Sequence, residues 1–138
     1  MKFTSTFEIK SWDADESGGA DELADVSRVT LRKSFDGELK GNSVGYGLFL
    51  QTPEQTGGYV VIERVNAVTE DGREGTFVIQ HYGVRDTTGG GPWYGDILPS
   101  TGTDGFAGVA GTFAIKHEEG LAEFEWNFEF SDAEPTDS

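Results

Sequence analysis

The chain has 138 residues, no cysteine, and 25 acidic against 10 basic side chains, for a formal net charge of −15. This size predicts one domain with a real core, and the lack of cysteine excludes a disulfide framework and thiolate chemistry. So negative a chain is repelled by a phosphate backbone and by an anionic bilayer, so neither nucleic acid nor a membrane is expected as a partner.

Residues 3–12 alternate, with Phe3, Phe7 and Ile9 on one face and Thr4, Thr6, Glu8 and Lys10 on the other, which predicts a strand. Residues 13–25 are acidic, carry a Gly pair and read as an exposed loop. The spacing of Asp13, Asp15 and Glu16 invites a calcium reading, but the glycine and terminal glutamate of an EF-hand do not line up. Residues 26–35 predict a second strand with Val29, Leu31 and Phe35 inward and Arg28 and Arg32 outward. Asp36-Gly37 is a hairpin turn. A third strand over 38–50 has Val44, Tyr46, Leu48 and Leu50 on one face and Ser43, Gly45 and Gly47 on the other. Glycines inside a strand predict curvature or close backbone approach.

The hairpin over 59–82 carries the chemistry. Glu70-Asp71-Gly72, with Gly72 as the left-handed residue, is the preferred loop. It sets Glu63 opposite Ile79 and Val61 opposite His81, and puts Tyr59, Val61, Glu63, Val65, Phe77, Ile79 and His81 on one face. A two-residue loop would swap the faces. In the preferred register Glu63 and His81 are diagonal neighbours, roughly 5–8 Å apart at Cβ. A carboxylate beside an imidazole in a dry cavity orients the ring and moves protons near neutral pH. The same pair would also serve to pin the register of the strands, and the sequence leaves both readings open.

Residues 85–92 form a Gly-rich loop without the Lys-Ser or Lys-Thr of a P-loop. A short strand is expected over 93–100, a glycine-rich corner over 100–113, and a last hairpin from strands 111–117 and 121–130 around His117-Glu118-Glu119-Gly120. In the final strand Phe124, Trp126, Phe128 and Phe130 face one way and Glu123, Glu125, Asn127 and Glu129 the other. Residues 1–131 are read as the domain and 132–138 as a disordered polar tail. No amphipathic helix is expected. Seven or eight strands, each with one apolar face, predict an all-β fold, an antiparallel barrel in preference to a sandwich.

The segments TFEIKSW (6–12), ERV (63–65), TFVIQH (76–81) and GTDGFAGVAG (102–111) resemble a family of small, mostly bacterial proteins catalogued as domain of unknown function 3224. The likeness spans most of residues 3–130, and its most specific parts are the Gly-Thr-x-Gly-x-x-Gly-x-x-Gly corner and the Phe-Val-x-Gln-His strand. The resemblance implies a single eight-stranded antiparallel barrel similar to allene oxide cyclases and plant dirigent proteins, but not their reactions. None of their catalytic residues is matched onto this chain. The loops at 13–25 and 85–92 are where departure from relatives is expected, at the barrel mouth.

Glu63 and His81 are the candidate catalytic residues, and Tyr46, Trp126, Phe77 and Ile79 the candidate ligand-binding residues. Ligand count argues against a metal site, since His81 is the one inward histidine, and no cofactor is expected. Three function classes stand. The first is a barrel that holds a small apolar or amphipathic ligand. The second is an isomerase or cyclase working through Glu63 and His81. The third is a barrel filled by side chains that acts through its surface or as a homo-oligomer. The expected compartment is the cytoplasm. The acidity reads either as a solubilising surface or, with only five lysines, as adaptation to high salt.

Overall fold

Alternating strands joined by tight turns have one way to remove every exposed edge, which is to close on themselves. The computed structural model, which describes residues 1–15, 20–87, 93–118 and 121–131, shows that closure. The strands are β1 (Lys2–Asp15), β2 (Ser27–Gly37), β3 (Leu39–Gln51), β4 (Gly57–Thr69), β5 (Glu74–Arg85), β6 (Trp93–Ile97), β7 (Val109–Glu118) and β8 (Leu121–Phe130). Each pairs antiparallel with its neighbour in sequence, and β8 returns to β1, giving an eight-stranded barrel. The only helical pieces among the described residues are single 3-10 turns at Asp21–Leu23 and Asp104–Phe106. None of these is long and apolar enough to cross a membrane. Residues 16–19 of the acidic loop (Glu16 of the calcium reading among them), 88–92 of the Gly-rich loop, 119–120 of the last turn and the tail 132–138 lie outside the described residues.

The barrel is packed at one end and open at the other. Phe3, Phe35, Leu39, Phe77, Phe106, Trp126 and Phe128 belong to one cluster of buried side chains that fills the lower end. Phe106, from the glycine-rich corner, is fully buried and lies 4.8 Å from the ring of Phe77. A smaller cluster of Val29, Leu31 and Val61, with Phe49 and Tyr59 against it, sits toward the mouth.

Two strands differ from the pattern expected of them. In β3 the apolar face points outward: Val44, Tyr46 and Leu48 are exposed, while Ser43, Gly45 and Gly47 are inside. The interior of a small barrel has a fixed width, so a large residue from one strand needs a small one opposite. Gly45 pairs with Glu63 and Gly47 with Val61. A Cβ on Gly45 would stand 2.5 Å from Cγ of Glu63. In β1 a bulge falls between Ile9 and Ser11, where Lys10 is the extra residue. A bulge of one residue reverses the face of everything after it. Phe3, Phe7 and Ile9 therefore lie on the inward phase before it, and Trp12 and Ala14 after it.

Candidate functional site

The hairpin β4–β5 adopts the three-residue loop. Val68 pairs with Glu74, Glu63 with Ile79 and Val61 with His81, and Gly72 takes φ +92°. Glu63 and His81 consequently enter the barrel from adjacent strands, and Glu63 Oε2 lies 2.5 Å from His81 Nε2. Glu63 is fully buried and His81 nearly so.

The carboxylate gathers more than the imidazole. Lys33, on the inward phase of β2 with Val29, Leu31 and Phe35, is 5% exposed and donates from Nζ to Glu63 Oε2 at 2.8 Å. Ser43 of β3 donates to Glu63 Oε1 at 2.7 Å. The Lys33 ammonium also lies over the rings of Phe7 and Phe124, at 5.3 and 5.0 Å. Ion pairs this deep hold only when both charges are met by good geometry, which three donors to one carboxylate supply.

The charge states follow. Burial pushes the Glu63 pKa up, but the hydrogen bond from His81 and the charge of Lys33 outweigh it and hold the group at about 2. Burial pushes the His81 pKa down, and Lys33 pushes it the same way against the pull of Glu63. The site is thus a carboxylate, an ammonium and a neutral imidazole. The ring nitrogen facing the carboxylate carries the proton, which leaves Nδ1 as an acceptor. Tyr59 Oη lies 2.9 Å from Nδ1 and donates its proton there. Burial, then the charge of Glu63, raises the Tyr59 pKa well above the usual phenol value.

Above this polar floor is a cavity of about 460 Å³ opening at the mouth. Its walls are largely apolar, with aromatic rings among them. Phe49 stacks on Tyr59 at 5.3 Å, Trp93 meets Tyr59 edge-on at 5.7 Å, and Trp12 packs on Phe49 at 4.7 Å. Lys33 and His81 line the bottom and Arg85 the rim.

The expected ligand-binding residues fall elsewhere. Tyr46 is on the outer face, 45% exposed, because β3 is turned with its glycines inward. Phe77, Ile79 and Trp126 face inward, as expected of their strands, but they belong to the packed lower core and not to the cavity wall. Trp126 donates its indole N–H to Ser5 Oγ. The residues that sequence reasoning did not single out are Lys33, Ser43, Tyr59, Phe49, Trp93 and Arg85. For Lys33 the available signal was its place in the inward alternation of β2. Among the described residues, no three His, Asp or Glu side chains gather to hold a metal ion.

A family model described as "Protein of unknown function (DUF3224)" matches residues 3–130. Among solved structures, the chain is similar to the crystal structure of a protein of unknown function from the DUF3224 family of Shewanella oneidensis MR-1. The two share 32% identity with a TM-score of 0.82 over 96% of this chain and 98% of that one. No curated protein matches the chain.

Proposed function

The chain belongs to the DUF3224 family, whose function is unknown, and from the cavity above we propose that it binds a small apolar or amphipathic ligand inside the barrel. The observation that carries this is the open upper end. A barrel built only for stability is filled by side chains along its length, whereas here largely apolar walls enclose about 460 Å³ above a hydrogen-bonded floor. That is the size and lining of a small-molecule site. Native mass spectrometry of freshly purified protein tests it: a ligand-sized mass that is lost on activation supports the proposal. An empty barrel that also fails to take up a hydrophobic dye ends it. The cytoplasmic location expected from the sequence belongs to the same proposal.

A second reading makes the barrel an isomerase or cyclase, and one observation favours it. The chain Glu63–His81–Tyr59 ends in a phenol at the cavity wall. A proton passed to or from a ligand there would be relayed through the imidazole. Turnover of a bound ligand that is lost in both His81→Ala and Tyr59→Phe supports this reading; equal turnover in Tyr59→Phe removes it.

For self-association, the other partner expected, we propose the outer face of the barrel. Tyr46, Leu48, Val60, Ile62, Tyr82 and Tyr94 are exposed on neighbouring strands β3 to β6. A second copy is the fitting occupant. Light scattering at micromolar concentration should show a dimer that Tyr82→Lys dissociates; a monomeric wild type removes the assignment.

A further inference from the structure

The sign of the cavity is opposite to that of the protein. The chain carries 25 acidic and 10 basic residues. Of the twenty described residues that line the cavity, Lys33 and Arg85 are cationic and none is Asp or Glu. In proportion to the whole sequence, about three or four carboxylates would be expected among twenty residues. Glu63 stands behind the floor, fully buried, with its charge taken up by Lys33. The two cations therefore differ. Lys33 is neutralised within the wall. Arg85 has no ion-pair partner among the described residues.

Arg85 is also placed to meet a ligand. It ends β5 on the inward phase, following His81 and Gly83, and pairs with Gly57 at the mouth. It lies four positions along the strand from His81, a rise of roughly 13 Å. The aromatic walls of Phe49, Tyr59 and Trp93 lie along that rise. A guanidinium binds a carboxylate through two parallel N–H bonds, and the geometry is specific to planar oxyanions.

We propose that the cavity takes a monocarboxylic acid with an apolar body about ten atoms long, its carboxylate held by Arg85 at the rim and its body lying along the aromatic walls down to Lys33 and His81. This rests on the ligand-binding reading above and narrows it to a chemical class. The global field favours cations over anions, so a preference for the anion has to come from the cavity itself.

The test compares decanoate, 1-decanol and decylammonium, which share one body and differ in the head. Trp12 and Trp93 line the cavity, so tryptophan fluorescence reports binding directly. At about 150 mM salt, decanoate should bind roughly three- to fivefold more tightly than decanol, in keeping with an ion pair at a wet rim. Arg85→Gln should remove that margin and leave decanol affinity unchanged. Lys40→Gln, on the outer surface, carries the same change in net charge and should leave the margin intact. Equal binding of decanoate and decanol, or a margin that survives Arg85→Gln but vanishes in Lys33→Met, overturns the assignment to Arg85 while the cavity reading stands. A barrel that is empty by native mass spectrometry and binds none of the three overturns both.

Discussion

Lys33 sets the charge of the residue next to its partner. Its ammonium stabilises Glu63 as a carboxylate and opposes a second positive charge on His81. In Lys33→Met the carboxylate keeps the imidazole and the Ser43 hydroxyl but no cation, so the His81 titration should move to higher pH. Proton NMR reads this well, because the chain has only two histidines. An unmoved His81 midpoint would show that Lys33 is not felt at the ring. Glu63→Gln keeps the shape but leaves the ammonium uncompensated, and denaturant unfolding should register a loss of about 3–5 kcal/mol. The double variant Glu63→Gln/Lys33→Met should recover much of it, since the uncompensated charge is gone. The pH dependence has a defined sign. His81 has a lowered pKa in the folded state, so the unfolded chain binds more protons below its ordinary value of 6.5, and stability falls as the pH drops through that point. Glu63 is lowered from 4.5 to about 2, and its contribution is lost over that lower interval. Thermal melts from pH 8 to 2 should therefore fall in two stages, the second of which Glu63→Gln makes smaller. The meeting of Glu63 and His81 is legible in the sequence, because the Gly72 turn fixes register and register fixes facing. Lys33 is not, because hydropathy places a lysine outside and its partner lies thirty positions away.

β3 shows where alternation misleads. A strand's larger apolar side chains are normally its buried ones, and Val44, Tyr46 and Leu48 read that way. The barrel reverses the choice because Glu63 and Val61 already occupy the space opposite Gly45 and Gly47. What β4 projects decides the facing of β3, and a single strand's sequence does not contain that information. Two glycine substitutions separate the causes. Gly45→Ala brings a methyl against Glu63 and should cost about 1–3 kcal/mol as an overpacked core does. It should also disturb the His81 titration. Gly72→Ala has nothing within 4 Å of the new methyl and suffers only from φ +92°, at about 1 kcal/mol with the titration unchanged. Equal titration shifts in both would mean that Gly45 does not hold the room for Glu63. The bulge at Lys10 was likewise invisible to a period-two reading, since one extra residue leaves both halves of β1 alternating. Its effect is to turn Trp12 inward at the mouth, where it packs on Phe49.

At the scale of the molecule, the barrel was legible because hairpin turns recur and no segment alternates as a helix does, while the cavity was not, since it depends on where packing stops. The net charge of −15 is a property of the whole surface, and if it is an adaptation to salt, the melting temperature should climb steadily from low to molar KCl as carboxylate repulsion is screened. A flat profile would leave the charge as a solubilising coat. One consequence concerns traffic. With Phe106 and the aromatic cluster sealing the lower end, the barrel is a cup and not a tube. Whatever enters must leave by the way it came, and an arriving molecule finds no second door through which to push the occupant out. Release is then a first-order event set by the occupant alone. In stopped-flow displacement the observed rate should stay constant as the competitor is raised in excess; a rate that climbs with competitor would reveal a second way through the wall.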